Sequence, residues 1–86
     1  MKDIMMQFLT LNKKLIQRGF HIAKISENGI EWYMYAGLSL CRAWLYRVED
    51  GYIGYDTAHG NFQASSFEEA SRRLLQRLED ITEESE

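Results

Sequence analysis

The sequence predicts a two-layer α+β fold in which an N-terminal helix, a four-stranded antiparallel meander and a C-terminal helix follow one another. Apolar residues recur at helical spacing near both ends of the chain, whereas between residues 20 and 56 they alternate with a period of two. The turn sequences ENG and EDG interrupt the alternating region. Strands joined by such short turns pair with their neighbours along the chain, which predicts the meander.

The first predicted helix extends from Asp3 to Arg18. Gly19 follows its last turn and can adopt the left-handed conformation, and Phe20 is placed to fold back onto Leu15, as in a Schellman ending. The expected buried stripe consists of Ile4, Phe8, Leu11 and Leu15, widened by Met5, Leu9 and Ile16.

Four strands are predicted, over residues 20–26, 30–36, 40–48 and 52–56. In the ENG turn, Asn28 and Gly29 are residues that tolerate positive φ, which favours a hairpin between the first two strands. We predict that residues 57–65, with His59, Gly60 and Asn61 at their middle, form the longest irregular segment.

The second helix is predicted to begin after Ser66, because Ser66 and Glu69 have the spacing of a capping box. Its apolar stripe comprises Phe67, Ala70, Leu74, Leu78 and Ile81, and its outer surface carries the i, i+4 pairs Glu68–Arg72 and Glu69–Arg73. We expect a single domain over residues 1–81 and a disordered acidic tail over residues 82–86, which has no apolar anchor.

The composition is that of a folded cytoplasmic domain. Apolar residues make up 45% of the 86 residues, no proline is present, and the single cysteine, Cys41, has no partner for an internal disulfide, which favours a reducing compartment. No uncharged run is long enough to suggest a membrane span. The net charge of −3 is unevenly distributed, with seven Lys or Arg against three acids in residues 1–47 and three against ten in residues 48–86. Such asymmetry can direct two different partners or association of copies, although charges also occur simply as solvated surface.

No chemistry-bearing cluster stands out in the sequence. His21, His59 and Cys41 lack the spacing of metal ligands, so we predict neither a metal nor a cofactor. No phosphate-binding glycine pattern occurs. A small enzyme remains an alternative, with His59 as the acid-base group beside Asp56 and one of the two serines at positions 65 and 66.

The alternation over residues 30–48 predicts a candidate binding surface. If both helices pack on one side of the sheet, the residues facing them are Ile30, Trp32, Met34, Cys41, Ala43 and Leu45. The residues then left uncovered are Tyr33, Tyr35, Arg42, Trp44 and Tyr46, which are types that dominate protein interfaces. The competing arrangement places the N-terminal helix over these rings instead and makes them core.

Nucleic-acid binding is a second reading of the same side chains. Lys24, Arg42 and Arg47 share the predicted sheet with aromatic rings on which bases can stack. The order helix, strands, helix resembles that of double-stranded RNA-binding domains, but Glu68 and Glu69 occupy the start of the last helix, where that family carries a basic cluster. An acidic pI of about 5.3 also opposes phosphate binding.

We therefore predict a small non-catalytic protein-binding domain that acts as an inhibitor or adaptor. The strand sequence EDGYIGYD, the glycine-containing loop after it and the helix opening Ser-Phe-Glu-Glu-Ala resemble in outline, over residues 46–78, the sheet-to-helix half of HicB-type antitoxins, a likeness of geometry and not of family. Separately, small acidic proteins with one cysteine and no reactive cluster are typical of adaptors, antitoxins and inhibitors carried by mobile elements, such as anti-CRISPR proteins, and the expected role follows from that analogy. The expected partner is a protein, for example a nucleic-acid-binding protein or complex whose basic surface meets the acidic second half of the chain. A homodimer through the aromatic surface is the other partner considered.

Overall fold

The computed structural model describes the backbone of residues 2–84 and the side chains of residues 6–79. It contains helix α1 (Lys2–Gln17), strands β1 (His21–Ile25), β2 (Gly29–Ala36), β3 (Ser39–Val48), β4 (Gly51–Asp56) and β5 (Gly60–Ala64), and helix α2 (Phe67–Glu84). The α+β class and the two terminal helices are confirmed. The number of strands is not, because the sheet has five strands instead of four.

The sheet is an antiparallel meander in which every strand pairs with its neighbour in the chain, in the order β1-β2-β3-β4-β5. The fifth strand lies within residues 57–65, which were expected to be irregular. It is short, and only two of its residues, Phe62 and Ala64, are buried. The two edges of the sheet are therefore β1 and β5.

Both helices lie on the same side of the sheet. The Trp32 indole N–H of β2 donates to Asn12 Oδ1 of α1 at 2.7 Å, while Phe8 of α1 and Phe67 of α2 make an edge-on ring contact at 5.2 Å. α2 packs over β4 and β5. The core between the two layers consists of Phe8, Leu11, Leu15, Phe20, Ile30, Trp32, Met34, Ala43, Leu45, Phe62, Ala64, Ala70, Leu74 and Leu78.

The helix ends follow the sequence signals closely. At the end of α1, Gly19 has φ of 96°, its N–H donates to the Ile16 carbonyl, and the Phe20 N–H donates to the Leu15 carbonyl, both at 3.0 Å. This is the predicted Schellman motif. At the start of α2, the Glu69 N–H donates to Ser66 Oγ at 3.1 Å, which confirms Ser66 as the N-cap.

Some predicted details differ from the structure. Of the residues expected to widen the first apolar stripe, Leu9 and Ile16 are exposed, and the Met5 side chain lies outside the described part. Cys41 is only partly buried against the core. On α2, by contrast, the predicted ion pair between Glu69 and Arg73 is present, with a distance of 3.5 Å. α2 continues to Glu84, through the first three residues of the tail predicted to be disordered, and residues 85 and 86 lie outside the described part.

The turn between β1 and β2 is present, but for a different reason from the one that the sequence suggested. Neither Asn28 nor Gly29 has a positive φ. Glycine is required at position 29 because a Cβ there would lie 2.1 Å from the backbone oxygen of Leu45 on β3. Close approach of two strands thus takes the place of turn conformation as the constraint on this residue.

Candidate functional site

The sheet side without helices carries a row of aromatic and polar side chains that we call the open face. On the first four strands its members are His21 and Lys24 on β1, Glu31, Tyr33 and Tyr35 on β2, Leu40, Arg42, Trp44 and Tyr46 on β3, and Ile53 and Tyr55 on β4. All five residues of the predicted binding surface belong to this face. Among them Tyr35 and Arg42 are exposed, and the other three are half-buried.

Trp44 is the centre of the first of two ring clusters on the open face. It is the cross-strand partner of Tyr55, and the two rings stack with centroids 5.2 Å apart and planes inclined by 13°. Tyr46, two residues along β3, contacts Trp44 edge-on at 5.5 Å. Stacked and edge-on contacts are the two arrangements that aromatic pairs prefer.

The second ring cluster lies on β1 and β2. Tyr33 and Tyr35 meet edge-on with centroids 6.3 Å apart, and the imidazole of His21, the register partner of Tyr33, lies 5.3 Å from the Tyr33 ring. Because His21 lies on the edge strand β1, the open face extends to the edge of the sheet.

Arg42 lies between the two clusters, in a shallow cleft of about 470 Å³ whose lining includes Tyr33, Tyr35, Trp44 and Tyr55. Its backbone is fixed by Thr57, because the Arg42 N–H donates to Thr57 Oγ1 at 2.7 Å and the Thr57 N–H donates to the Arg42 carbonyl at 3.0 Å. No carboxylate or ring among the described side chains engages its guanidinium.

Glu31 and Tyr46 form a polar pair on the open face. The Tyr46 hydroxyl donates to the Glu31 carboxylate. Burial of the phenol raises the pKa of Tyr46 above its usual value near 10, and the hydrogen bond to Glu31 and its negative charge raise it further. The hydroxyl therefore remains a donor at neutral pH and occupies one oxygen of the Glu31 carboxylate.

Several members of this surface are absent from the predicted binding residues, among them the aromatic residues Tyr55 and His21. A signal for Tyr55 was available. The tight EDG turn pairs Val48 with Gly51, and that register brings Tyr55 opposite Trp44. His21 and Tyr33 are partners in a strand pair that has a register shift between Ile22 and Lys24. No pattern in the sequence predicts this shift.

Both edges of the sheet are protected against further strand pairing. At β5, the Arg73 guanidinium of α2 donates to the Gln63 carbonyl at 2.6 Å. At β1, the strand has five residues, an irregular register next to Ala23, and a lysine at position 24. Short edges, bulges and lysines discourage strand addition, so the open face is the more accessible surface for a partner.

Of the residues proposed for acid-base chemistry, Asp56 is fully buried, with an exposure of 0%, whereas His59 beside it is exposed. Asp56 is the centre of a cluster that also includes Arg77. Asp56 Oδ1 accepts the His59 backbone N–H at 2.8 Å and lies 2.8 Å from His59 Nδ1. The Arg77 guanidinium of α2 donates to Asp56 Oδ2 at 3.3 Å and to the Gly60 carbonyl at 3.0 Å. The cluster therefore closes the β4–β5 turn and attaches it to α2.

The two serines considered as catalytic partners of His59 have other contacts. Ser66 caps α2, and the Ser65 hydroxyl donates to Glu69 Oε1 at 3.2 Å. In the part of the chain that the structure describes, no three His, Cys, Asp or Glu side chains come together as metal ligands do. Within those same limits, neither helix combines the length and the hydropathy that crossing a bilayer requires.

Comparison with known proteins gives no family for this chain. It matches no protein-family model, and neither the curated proteins nor the solved structures show a significant match.

Proposed function

We propose that the chain is a non-catalytic protein-binding domain that engages its partner through the open face. The observation that carries this proposal is the aromatic surface on a sheet side that no helix covers: five Tyr or Trp residues in two ring clusters with Arg42 between them. Tyr, Trp and Arg supply most of the binding energy in protein interfaces, because each offers a large rigid area together with a polar group.

The fixed geometry of the rings supports binding in a second way. Ordering a mobile side chain at an interface costs about 0.5–1.5 kcal/mol. Trp44 is already held between Tyr55 and Tyr46, so little of this cost remains when a partner covers it. A face prepared in this manner suits an inhibitor or adaptor that must bind tightly despite its small size.

Most of the described acidic residues lie away from the open face. Glu68, Glu69 and Glu79 lie on α2, on the opposite side of the sheet from the open face, and Glu49 and Asp50 lie in the β3–β4 turn. In our proposal these carboxylates help attract a partner with a basic surface, such as a nucleic-acid-binding protein, by imitating phosphates. The rings of the open face seal either that contact or a contact with a second copy.

Direct nucleic-acid binding is the second candidate, favoured by the presence of Arg42 and Lys24 beside stacked rings. Affinity for nucleic acid depends on neutralising several phosphates. The open face has Glu31 near its centre, and the whole chain has a net charge of −3. The charge balance therefore favours a protein partner.

The test is capture of a partner by tagged protein, followed by measurement of the dissociation constant with the purified partner by calorimetry. The variant Tyr35→Ala/Trp44→Ala removes one ring from each cluster, and we expect it to weaken binding by roughly 100-fold or more, as for two hot-spot residues. The matched control Leu9→Ala/Ile16→Ala removes exposed apolar side chains from α1 and should bind within about threefold of the original chain.

Thermal melts of both variants establish that each is folded. Binding that survives loss of the two rings, or that fails in the α1 control instead, would refute the proposal. A gel shift with oligothymidine that disappears steeply with added salt would favour the nucleic-acid candidate. An activity that His59→Ala abolishes and Trp44→Ala preserves would favour the enzyme.

A further inference from the structure

Arg42 is the residue of the open face that most restricts the chemistry of a partner. Its side chain is exposed in the cleft between the two ring clusters, and its backbone is held on both sides by Thr57. None of the described carboxylates forms an ion pair with it. The cleft therefore presents a positioned guanidinium whose five N–H groups are available to an incoming acceptor.

Among the described side chains, one acid lies on the open face, and it is already hydrogen-bonded. Glu31 lines the same cleft as Arg42, but its carboxylate accepts the hydroxyl of Tyr46 and lies beside Lys24, its register partner on β1. Two cations, Arg42 and Lys24, thus stand against one carboxylate on this surface, whereas the chain as a whole is acidic. A partner that places a carboxylate between the two ring clusters meets complementary charge there.

From this arrangement we propose that the cleft around Arg42 binds an aspartate or glutamate side chain of the partner polypeptide, flanked by apolar or aromatic residues that pack on Tyr33 and Trp44. An arginine and a carboxylate can form two parallel hydrogen bonds, which fixes orientation as well as charge. The rings on either side exclude water from this pair and strengthen it. The inference rests on the proposed function and adds the chemical class of the recognised segment.

A carboxylate fits the cleft better than a chain of phosphates. Arg42 and Lys24 are the cations among the described residues of this surface, and two cations can pair with one or two anionic groups. A polyanion that continued along β3 toward the turn at Glu49 and Asp50 would be repelled there. A single acidic residue within an apolar segment satisfies the guanidinium without that repulsion.

The experiment selects peptides from a random phage-displayed library on the whole protein and discards those that bind Arg42→Gln protein equally well. We expect the enriched sequences to contain an Asp or Glu next to apolar or aromatic residues. A synthetic peptide of the enriched sequence should bind Arg42→Gln protein at least tenfold more weakly by fluorescence polarisation, with Arg42→Lys intermediate because lysine lacks the planar fork.

Two controls make the result specific. Arg47→Gln removes an exposed arginine from the same strand but the other side of the sheet, and it should change the affinity less than twofold. Replacing the peptide acid by its amide should weaken binding to the original protein at least tenfold and have little further effect on Arg42→Gln protein, since the two changes remove one interaction.

The inference is overturned if no sequence prefers the original protein over Arg42→Gln protein, or if the enriched peptides lack acidic residues. It is also overturned if oligothymidine displaces the peptide at similar concentration, or if sedimentation shows that Arg42 mediates a dimer of the protein instead. Binding that survives Arg42→Gln but fails in Tyr35→Ala/Trp44→Ala protein would refute the carboxylate and leave the proposed function intact.

Discussion

Asp56 offers the most direct test of the distinction between a structural and a catalytic role for the β4–β5 turn. It is the one fully buried charged side chain among the described residues, and its carboxylate is contacted by the His59 backbone N–H, the His59 imidazole and the Arg77 guanidinium. We expect Asp56→Ala to destabilise the fold strongly, because the Arg77 side chain, only 23% exposed, would lose its carboxylate partner while remaining largely covered.

The expected cost follows from the contacts. Removing one partner of a buried ion pair typically costs about 3–5 kcal/mol, and the lower end applies here because Arg77 keeps partial access to water and its bond to the Gly60 carbonyl. A loss of about 3 kcal/mol corresponds to a decrease of roughly 12–24 °C in melting temperature for a domain of this size. Asp56→Asn retains an acceptor for the His59 N–H and should cost about half as much.

The assay is urea unfolding followed by circular dichroism, with a double-mutant cycle between Asp56→Ala and Arg77→Met. We expect a coupling energy of about 1–3 kcal/mol between the two positions. His59→Ala should cost about 1 kcal/mol or less, since the imidazole lies partly in solvent. A loss below about 1 kcal/mol for Asp56→Ala, or a coupling near zero, would show that the carboxylate does not attach the turn to α2.

Two further predictions concern the strands and their turns. Gly29→Ala should lose at least about 2 kcal/mol of unfolding free energy, because its Cβ would lie 2.1 Å from the Leu45 backbone oxygen. Gly37→Ala should lose only about 1 kcal/mol, because Gly37 has φ of 66° but no atom within 4 Å of the added Cβ, and equal losses in urea unfolding would contradict this steric reasoning. Tyr46→Phe should cost about 1 kcal/mol at neutral pH through the bond to Glu31. The pKa of Tyr46 is raised in the folded state above the value of about 10 for the unfolded phenol. This contribution to stability is therefore complete at pH values below about 10 and is lost as the pH rises through the pKa of the folded state. The stability difference between Tyr46→Phe and the original chain should therefore shrink in unfolding curves recorded above about pH 10, and a difference that grows there would contradict the proposed bond.

Features encoded within a few residues could be predicted from the sequence. The end of α1 at Gly19 and the start of α2 after Ser66 each depend on local backbone groups that a single residue type satisfies best. The division of residues 30–48 between two sides of the sheet follows from period-two alternation alone. For the same reason, the positions of Tyr33, Tyr35, Arg42, Trp44 and Tyr46 on one face could be derived without coordinates.

Features that depend on distant parts of the chain could not be derived in this way. The sequence of β5, GNFQA, has turn-forming residues at its start and only one large apolar side chain, and its place in the sheet depends on pairing with β4 and on cover from Arg73 of α2. The contact of Asp56 with Arg77 joins positions 21 residues apart that no spacing rule connects. Exposure of Leu9 and Ile16 depends on how α1 is rotated against the sheet, which the width of an apolar stripe does not determine.

The two sides of the sheet also differ in what their aromatic residues do for the protein. On the helix side, Trp32 is fully buried and hydrogen-bonded to Asn12, so its loss would leave both a cavity and an unpaired amide. On the open face, Trp44 contacts other rings and solvent, and such ring pairs contribute only about 0.5–1.5 kcal/mol beyond their buried area. We therefore expect the fold to lose more stability when the aromatic residue at position 32 is removed than when the one at position 44 is removed. A larger loss of stability for Trp32→Ala than for Trp44→Ala is what our proposal of a partner on the open face predicts.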